Sequence, residues 1–476
     1  MPSARVTALL VAASVVCVAL CSCSRGPDKG LVPAGSLMAD SIRFQYAVYL
    51  LPVPPHSVDP AAALREALVD SSNELKLVDE IPRDPRAALI HTRIQKNVPK
   101  EYPPPDLKSL QYLGHGVSPE QAQALQKSSE AFIPEFAHPK DRVWTALRTA
   151  NTLVEEIARK TGGLVWDEET REVFSPDAWH KKRLASWKTD VPDVPSETVV
   201  QIYQKDEYVR AITLGMAKLG LPDVVIEDSS WSSNNQAGNL INLFCQSLAE
   251  GKTVRKAGTF RLELRAIRNS TVRDDQMNSL KSNASGIACL TLKQGKWEAG
   301  DPKNRLIQLT SDTYPGSDLH VRQETMLSSF FGSEDSVTTV QHNEELLAAS
   351  AKAKTKLPEM QKAFARGLEP GEFIDVKAPF GTPDGGTEWM WVEVTSWKNN
   401  EIKGLLQNDP SNVPNLHSGQ VVDVRQEEVF DYIRQYADKQ TEGNTTGDII
   451  RKMDEDHHRT ANSSVPPAVT PCGVTD

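Results

Sequence analysis

Glu-Trp-Met-Trp-Val-Glu-Val-Thr-Ser-Trp, residues 388–397, is the stretch of this chain with the clearest strand pattern. Because successive side chains of a strand point to opposite faces, one face would hold Trp389, Trp391, Glu393, Thr395 and Trp397. The other face would hold Met390, Val392 and Val394. A strand with a tryptophan-rich face and an aliphatic face is typical of burial on both sides, and the alternative is that the tryptophan face binds a ligand.

Neighbouring segments extend this strand into a small strand-rich module. Residues 373–376, 402–406 and 420–424 are strand-like, and residues 343–366 have the pattern of a helix. Upstream, helices at 141–160 and 235–248 and strands at 44–53, 199–203 and 208–213 do not alternate as a doubly wound sheet requires. The sequence therefore predicts a multidomain α+β protein with antiparallel sheets, packed helices and a small strand-rich C-terminal module.

The composition limits the class of protein. The 476 residues carry a formal net charge of −10, with 39% hydrophobic and 24% charged residues. That hydrophobic content is enough for a buried core and excludes a wholly disordered chain. The acidic balance argues against a nucleic-acid partner, which needs clustered lysine and arginine. The chain shows no repeat at a fixed period, so we expect neither a solenoid nor a propeller.

Residues 1–23, MPSARVTALLVAASVVCVALCSC, have the features of a secretory signal. Arg5 supplies the positive charge, and residues 6–20 form an apolar run too short for a comfortable membrane span. The ending Leu20-Cys21-Ser22-Cys23 resembles a bacterial lipobox, which implies cleavage before Cys23 and diacylglyceryl attachment to its thiol. Because Ser24 follows, the resemblance also implies the outer membrane in a host with two membranes. An ordinary signal peptide and an uncleaved anchor helix are the alternatives.

Turn signals and composition shifts divide the chain into six segments. They are a signal peptide at 1–22, a tether at 23–42, an N-terminal α+β domain at 43–190, a second α+β domain at 196–315, a C-terminal domain at 343–437 and a disordered tail at 438–476. The boundary near 192–195 rests on two prolines. The tail is predicted to be disordered because it is rich in Thr, Asn, Asp and His.

The cysteines do not have metal-binding spacing, since no C-x-x-C occurs. Cys245 lies in a helical apolar pattern and Cys289 in a strand-like one, so both are predicted to be small core residues. A disulfide between them is an open alternative, because disulfides form outside the cytosol.

The C-terminal module contains a specific combination of motifs. These are Lys-Ala-Pro-Phe at 377–380, Glu-Trp-Met-Trp-Val at 388–392, Gly-Leu-Leu-Gln-Asn-Asp-Pro at 404–410 and Gly-Gln-Val-Val at 419–422. Residues 344–432 thereby resemble the domain of unknown function 2314 family. Trp389 departs from the family, which tends to have His there, and Tyr432 replaces its usual Trp. The family has no established activity, so the resemblance implies a small α+β module.

The N-terminal half resembles a second family through three pieces. Gly-Gly-Leu-Val-Trp-Asp at 162–167, a Ser-Pro helix start at 175–176 and Thr-Leu-Gly-Met-Ala-Lys-Leu-Gly-Leu-Pro-Asp at 213–223 occur in the order of the domain of unknown function 4261 family. That family also lacks a known reaction.

Catalytic and cofactor motifs are missing from the sequence. Gly251-Lys252-Thr253 lacks the upstream glycine of a phosphate loop, and G-x-G-x-x-G, H-E-x-x-H and G-x-S-x-G do not occur. We therefore predict no catalytic residue, no metal ligand and no cofactor. The candidate ligand-binding residues are Lys377, Glu388, Trp391 and Asn408. Lys377 and Glu388 could pair across a hairpin, and finding them on opposite faces would contradict a common cleft.

The sequence thus favours a lipid-anchored extracytoplasmic protein of the bacterial envelope, facing the periplasm or the exterior. Its expected role is a non-catalytic binding or interaction module. The expected partners are the membrane, through the lipid on Cys23, and an unidentified protein or small molecule. The alternative is an envelope hydrolase with an unrecognised site near His115 or Glu388.

Overall fold

The computed structural model describes residues 30–52, 58–70, 75–206, 208–231, 233–281, 283–316, 318–332, 344–369, 371–383, 385–408, 410 and 412–458. The predicted signal peptide, Cys23 and the first part of the tether lie outside the described residues. Within these ranges no helix combines the length and the apolar character that a membrane span needs. Helices and three mostly antiparallel sheets confirm the α+β prediction.

The strands and helices, labelled in chain order, have the following bounds. The strands are β1 Ser41–Leu50, β2 Lys76–Leu77, β3 Leu89–Lys96, β4 Gly114–His115, β5 Glu130–Pro139, β6 Leu164–Asp167, β7 Glu172–Phe174, β8 Val199–Lys205, β9 Tyr208–Leu214, β10 Asp223–Ser229, β11 Thr259–Glu263, β12 Ile287–Gln294, β13 Leu306–Thr310, β14 Phe373–Gly381, β15 Thr387–Lys398, β16 Glu401–Leu406, β17 Val421–Arg425, β18 Asp431–Gln435 and β19 Thr441–Gly443. The α-helices are α1 Pro60–Asp70, α2 Val98–Glu101, α3 Leu110–Leu113, α4 Pro119–Leu125, α5 Val143–Thr161, α6 Pro176–Trp179, α7 Val194–Glu197, α8 Asn234–Ala249, α9 Ser270–Ser279, α10 Leu319–Phe331, α11 Glu344–Lys354, α12 Leu357–Arg366 and α13 Thr445–His458. Short 3₁₀ segments occupy Lys140–Arg142, Met216–Leu219, Leu264–Ala266 and Gln426–Glu428, and a π-helical turn occupies His180–Leu184.

The first sheet has the order β2-β3-β5-β1-β6-β7-β4. The helix predicted at 141–160 is confirmed as α5, whose apolar residues recur at helical spacing and are buried against this sheet. Gly162, with φ of 67°, ends the helix in the left-handed conformation that glycine adopts without strain. The sheet and α5 form the folded body of the N-terminal region.

The second sheet has the order β11-β12-β13-β10-β9-β8. The hairpin predicted from residues 199–213 is confirmed as β8 and β9, with an antiparallel register that runs from Val199↔Leu214 to Lys205↔Tyr208. One cluster of buried apolar side chains continues from the first sheet into the second and includes residues of α5 and α8. The boundary predicted between 190 and 196 stays a prediction.

The third sheet has the order β17-β16-β15-β14-β18-β19 and is antiparallel throughout. Its aliphatic face packs on α11 and α12, where Leu357 and Met360 meet Val376 and Val392. The strand pattern predicted this face correctly as far as Val394. Beyond it the register shifts between Val394 and Ser396, and an extra residue reverses the alternation. Trp397 therefore lies in the aliphatic core, and its predicted place beside Trp391 is wrong.

The third sheet continues beyond the predicted domain end at 437. Part of the segment predicted to be disordered forms β19 and α13. The start of α13 is fixed by Thr446, whose backbone N–H and hydroxyl both donate to Asp431 Oδ2, at 2.8 and 2.7 Å. Both residues are fully buried. The polar composition of this segment did not reveal that a buried carboxylate elsewhere would bind its first turn.

The cysteine pairing left open by the sequence is wrong. Cys245 on α8 is a buried free thiol. Cys289 on β12 is disulfide-bonded, but Cys245 is not its partner. Burial raises the pKa of the Cys245 thiol well above its ordinary value, so the side chain behaves as a small apolar core residue.

Candidate functional site

The face of the third sheet opposite α11 and α12 carries most of the predicted ligand residues. The strand register sets three cross-strand pairs there, which we call the site face: Asp375↔Glu393, Lys377↔Trp391 and Pro379↔Trp389. Side chains directly opposite each other in an antiparallel pair lie about 5 Å apart at Cβ and interact. The register therefore brings the Lys-Ala-Pro-Phe segment against the Glu-Trp-Met-Trp-Val segment.

Lys377 and Trp391 form the centre of the site face. Lys377 Nζ lies 5.6 Å from the centroid of the Trp391 ring, which is cation–π geometry. Burial lowers the pKa of Lys377, and the negative charge of Asp431 partly opposes that shift. Among the described residues, Nζ has no hydrogen-bond or ion-pair partner. Lys377 is a half-buried lysine whose three N–H donors make no hydrogen bond with a described residue.

Asp431 is opposite Lys377 on β18 but serves another purpose. Its Oδ2 accepts two hydrogen bonds from Thr446, and its Oδ1 accepts one from the backbone N–H of Tyr432 at 2.8 Å. The carboxylate is therefore committed to the start of α13. It influences Lys377 through its charge without forming an ion pair.

Asn408 joins the same centre from the turn after β16. Its Oδ1 accepts a hydrogen bond of 3.0 Å from the backbone N–H of Trp391, and Gln407 N donates to Trp391 O at 2.8 Å. An N–H donor must face the amide oxygen, so the Asn408 side-chain orientation is fixed and its Nδ2 remains a donor. The two contacts tie the turn to the Trp391 backbone.

Glu388 does not join this cluster. It is opposite Phe380 on β14, and strand alternation places these two on the other face from Lys377 and Trp391. Glu388 Oε2 accepts a hydrogen bond of 2.8 Å from Asn412 N, so it positions the loop that follows Asn408. The predicted pairing of Lys377 with Glu388 is wrong, because the strand register makes Trp391 the partner of Lys377. The opposite faces also contradict a common cleft of all four predicted ligand residues.

A buried pair of carboxyl groups adjoins Lys377 and Trp391 on the site face. Asp375 and Glu393 are 6% and 1% exposed. Glu393 Oε1 accepts a hydrogen bond of 2.8 Å from Trp231 N, which belongs to the turn after β10, whereas Asp375 Oδ1 has no partner among the described residues. Burial and then the charge of Glu393 raise the pKa of Asp375 well above its ordinary value. Sequence reasoning missed this pair because the pairing depends on the register of β14 and β15, and each residue looks like an ordinary strand residue.

Contacts with the second sheet continue around this end of the site face. The Tyr208 hydroxyl donates to Gly419 O at 3.0 Å, and His417 Nδ1 lies 3.2 Å from Asp318 Oδ2. Gly419 has φ of 76°, and a Cβ there would lie 1.7 Å from His320 Cδ2. Glycine is therefore required at the Gly-Gln-Val-Val motif for the third sheet to dock on the second.

The segments of the weaker N-terminal resemblance meet in a buried ion cluster. Asp167 Oδ2 binds both Arg183 NH2 at 2.7 Å and Lys218 Nζ at 2.6 Å, and Glu197 lies beside them. All four side chains are at most 1% exposed. Burial raises the pKa of Glu197 to about 7 and lowers that of Lys218. Such a closed network has no access for a substrate, so it joins the first two sheets as a structural element.

His115, the alternative hydrolase residue, is oriented by a carboxylate. Its Nε2 lies 2.7 Å from Glu172 Oε1, which also accepts a bond of 2.8 Å from Lys182 Nζ. The neighbouring Ser118 is a helix N-cap, as predicted, because its hydroxyl accepts from Gln121 N. The structure therefore shows a histidine–carboxylate pair, and Ser118 is already used for capping.

Metal-ligand clusters and cavities are two further kinds of site that the described part of the chain could offer. Within it, no group of three or more His, Cys, Asp or Glu side chains could hold a metal ion. An open cavity of about 610 Å³ surrounds Trp297, and its acidic residues Glu298 and Asp301 bind Lys205 and Arg210. None of the predicted ligand residues lines this cavity.

Comparison with known proteins identifies the C-terminal region. Residues 343–464 match a family described as uncharacterized protein conserved in bacteria (DUF2314), which confirms the resemblance stated from the C-terminal motifs. No curated protein and no solved structure matches the chain. The resemblance of the N-terminal half to the domain of unknown function 4261 family stays a prediction. The matched region is 122 of the 476 residues and contains Lys377, Trp391 and Asn408, so the site face lies within the part of the chain that matches this bacterial family.

Proposed function

We propose that this protein is a lipid-anchored binding protein of the bacterial envelope that holds a ligand on its site face. One observation carries the proposal: Lys377, Trp391 and Asn408 come from three separate motifs and meet at one place. Two of them retain N–H donors that the described residues do not use. Donors that the described residues leave unused beside an aromatic ring favour a role in binding a ligand.

The anchoring part of the proposal rests on the sequence. The apolar run at 6–20 and the Leu-Cys-Ser-Cys ending place Cys23 where a lipobox has its modified cysteine. Metabolic labelling with a radioactive fatty acid in a bacterial host should label the wild type and not Cys23→Ala. Labelling of both proteins alike, or of neither, would contradict lipidation at Cys23.

The binding part can be tested without knowing the ligand. The protein is purified from envelope membranes in mild detergent, and native mass spectrometry measures any co-purifying small molecule. We expect the wild type and Lys403→Met, which removes an exposed lysine of the same sheet, to retain the same bound mass. Lys377→Met and Trp391→Ala should lose it while keeping the wild-type circular dichroism spectrum. Equal bound mass in all four proteins, or none in any, would overturn the proposed site.

A second candidate is an envelope hydrolase in which His115 acts as a base. The 2.7 Å contact with Glu172 is the observation in its favour, because a carboxylate behind a histidine fixes the ring orientation that proton transfer needs. Esterase, glycosidase and peptidase substrates should then be turned over by the wild type and not by His115→Asn. No turnover of any of these substrates by the wild type would contradict this candidate.

A further inference from the structure

We infer that the ligand of the site face is an anion, whose charged group binds Lys377 Nζ and whose flat apolar part stacks on Trp391. This inference rests on the proposed function and names the chemical class of its ligand. Carboxylate and phosphate groups share the required chemistry, since each accepts hydrogen bonds from an ammonium group.

The ammonium group of Lys377 lacks a hydrogen-bonding partner within the described protein. Lys377 is half-buried, and its ammonium group makes no hydrogen bond or ion pair with a described residue. Partial burial weakens the hydration of this charge, and the Trp391 ring alone provides a weak electrostatic partner. An anionic group at Nζ would supply the missing acceptors.

The nearby acids of the protein do not act as that partner. Asp431 accepts from Thr446 and Tyr432, and Glu388 lies on the opposite face and accepts from Asn412. Asp375, on the Lys377 side of the sheet, makes no hydrogen bond or ion pair with Lys377. Glu393, on the same face, accepts from Trp231 N, so none of these four acids forms an ion pair with the ammonium group.

The aromatic surface next to Lys377 bears on the rest of the ligand. Trp391 lies beside Lys377, and Trp389 continues the aromatic surface along the strand, where its ring centroid is 4.6 Å from that of Phe430. Flat apolar groups pack well on such rings. Asn408 Nδ2 is a further donor next to Trp391. A small anion alone would use Lys377 and leave the aromatic surface uncovered, so an aromatic anion fits better.

Binding of an anion should also change the protonation of Lys377. The negative charge would favour the ammonium form and raise the pKa that burial has lowered. Binding measured well above neutral pH should therefore take up protons. A neutral ligand that only stacks on Trp391 would not produce this proton uptake.

The test is calorimetric titration of the detergent-solubilised full-length protein with probes of matched shape. Benzoate and phenyl phosphate carry the charge on an aromatic ring, benzyl alcohol is their neutral counterpart, and acetate and inorganic phosphate lack the ring. We expect benzoate or phenyl phosphate to bind about tenfold more tightly than benzyl alcohol. The same aromatic anion should also bind about tenfold more tightly than its counterpart without the ring, which is acetate for benzoate and inorganic phosphate for phenyl phosphate. The preference between benzoate and phenyl phosphate distinguishes a carboxylate from a phosphate ligand.

Variants complete the test. Lys377→Met should remove the preference for the charged probe, Lys377→Arg should restore it, and Lys403→Met should leave it unchanged. The heat of binding should depend on the buffer at alkaline pH in the wild type and not in Lys377→Met. Three outcomes would overturn the anionic class. They are benzyl alcohol binding as tightly as both aromatic anions, Lys377→Met keeping the preference for the charged probe, and no binding of any probe. A bound mass that Lys377→Met loses but that no anion displaces would overturn the class while leaving the proposed site intact.

Discussion

Asp375 and Glu393 face each other across β14 and β15 with both carboxyl groups buried, and Glu393 accepts the backbone N–H of Trp231 from the region of the second sheet. Two acids in this position cannot both ionise without strong repulsion in a medium of low dielectric constant. The raised pKa of Asp375 follows from this arrangement. The pair thus links the protonation of the third sheet to its contact with the second.

The pair predicts a stability that depends on pH. The pKa of Asp375 in the folded protein is above its ordinary value of 3.8, so its contribution is present at low pH and is lost as pH rises through the folded-state pKa. Asparagine resembles the protonated acid but cannot ionise. We therefore expect the free energy of unfolding of the wild type, relative to Asp375→Asn, to fall by up to about 1.4 kcal/mol per pH unit between the ordinary pKa of 3.8 and the raised folded-state pKa, and to level off above the folded-state pKa.

Urea unfolding of both proteins across acidic to mildly alkaline pH provides the measurement. Other acids with raised pKa values, such as Glu197, are present in both proteins and cancel in the difference. Glu401→Gln, at an exposed position of β16, is the control and should give a difference that stays flat. A wild-type minus Asp375→Asn difference that is equally flat would contradict a raised pKa of Asp375 in the folded protein.

The buried ion cluster predicts a large effect of removing one charge. Lys218→Met leaves Asp167 and Glu197 buried beside a single arginine, because Lys218 Nζ is the second cation on Asp167. Breaking a buried ion pair typically costs about 3–5 kcal/mol. Lys303→Met, at an exposed position, should change the free energy of unfolding by less than about 0.5 kcal/mol. A loss below about 1 kcal/mol for Lys218→Met, measured by urea unfolding, would mean that the cluster is not a structural element.

The contact between Asp431 and Thr446 predicts how α13 is held. Thr446→Ala removes the hydroxyl bond of 2.7 Å and should destabilise the protein by about 1–3 kcal/mol. Hydrogen exchange of the amides in α13 should become faster, and Thr446→Ser, which keeps the hydroxyl, should restore slow exchange. Thr445→Ala is the matched control because Thr445 is exposed. Exchange that is equally slow in Thr446→Ala would show that α13 does not depend on this contact.

The free thiol of Cys245 predicts its reactivity. Because the side chain is buried and its thiol pKa is raised, iodoacetamide should label Cys245 in denaturant and not in the native protein. Peptide mapping without reduction should find Cys245 unpaired. Detection of a Cys245–Cys289 peptide, or rapid labelling of Cys245 in the native protein, would contradict the structure.

The sequence predicted the helices, hairpins, caps and strand faces that depend on the local pattern of residues. α5, the β8–β9 hairpin, the Ser118 cap and the two faces of β15 up to Val394 follow from residue spacing alone. The bulge after Val394 was not predictable, because an extra residue in one strand depends on the partner strand.

The candidate site was predictable in its residues and not in its arrangement. Lys377, Trp391 and Asn408 were identified by residue type within motifs, but the pairing of Lys377 with Trp391 depends on strand register, which the intervening turn fixes. The pairing of Asp375 with Glu393 depends on the same register, and Lys218 with Asp167 is a contact between distant segments. No local pattern marks such pairs, so only the folded structure brings them together.

The most direct test of the ligand site is fluorine NMR of the protein labelled with fluorotryptophan, with the Trp391 resonance assigned from its absence in Trp391→Phe. Titration with benzoate or phenyl phosphate should shift this resonance in the wild type and in Lys403→Met. The affinity for benzyl alcohol, measured in the same way, should be about tenfold lower. Lys377→Met should show no such preference for the anion. A Trp391 resonance that none of these probes moves in the wild type, or that they move equally in Lys377→Met, would contradict a ligand site built on Lys377 and Trp391.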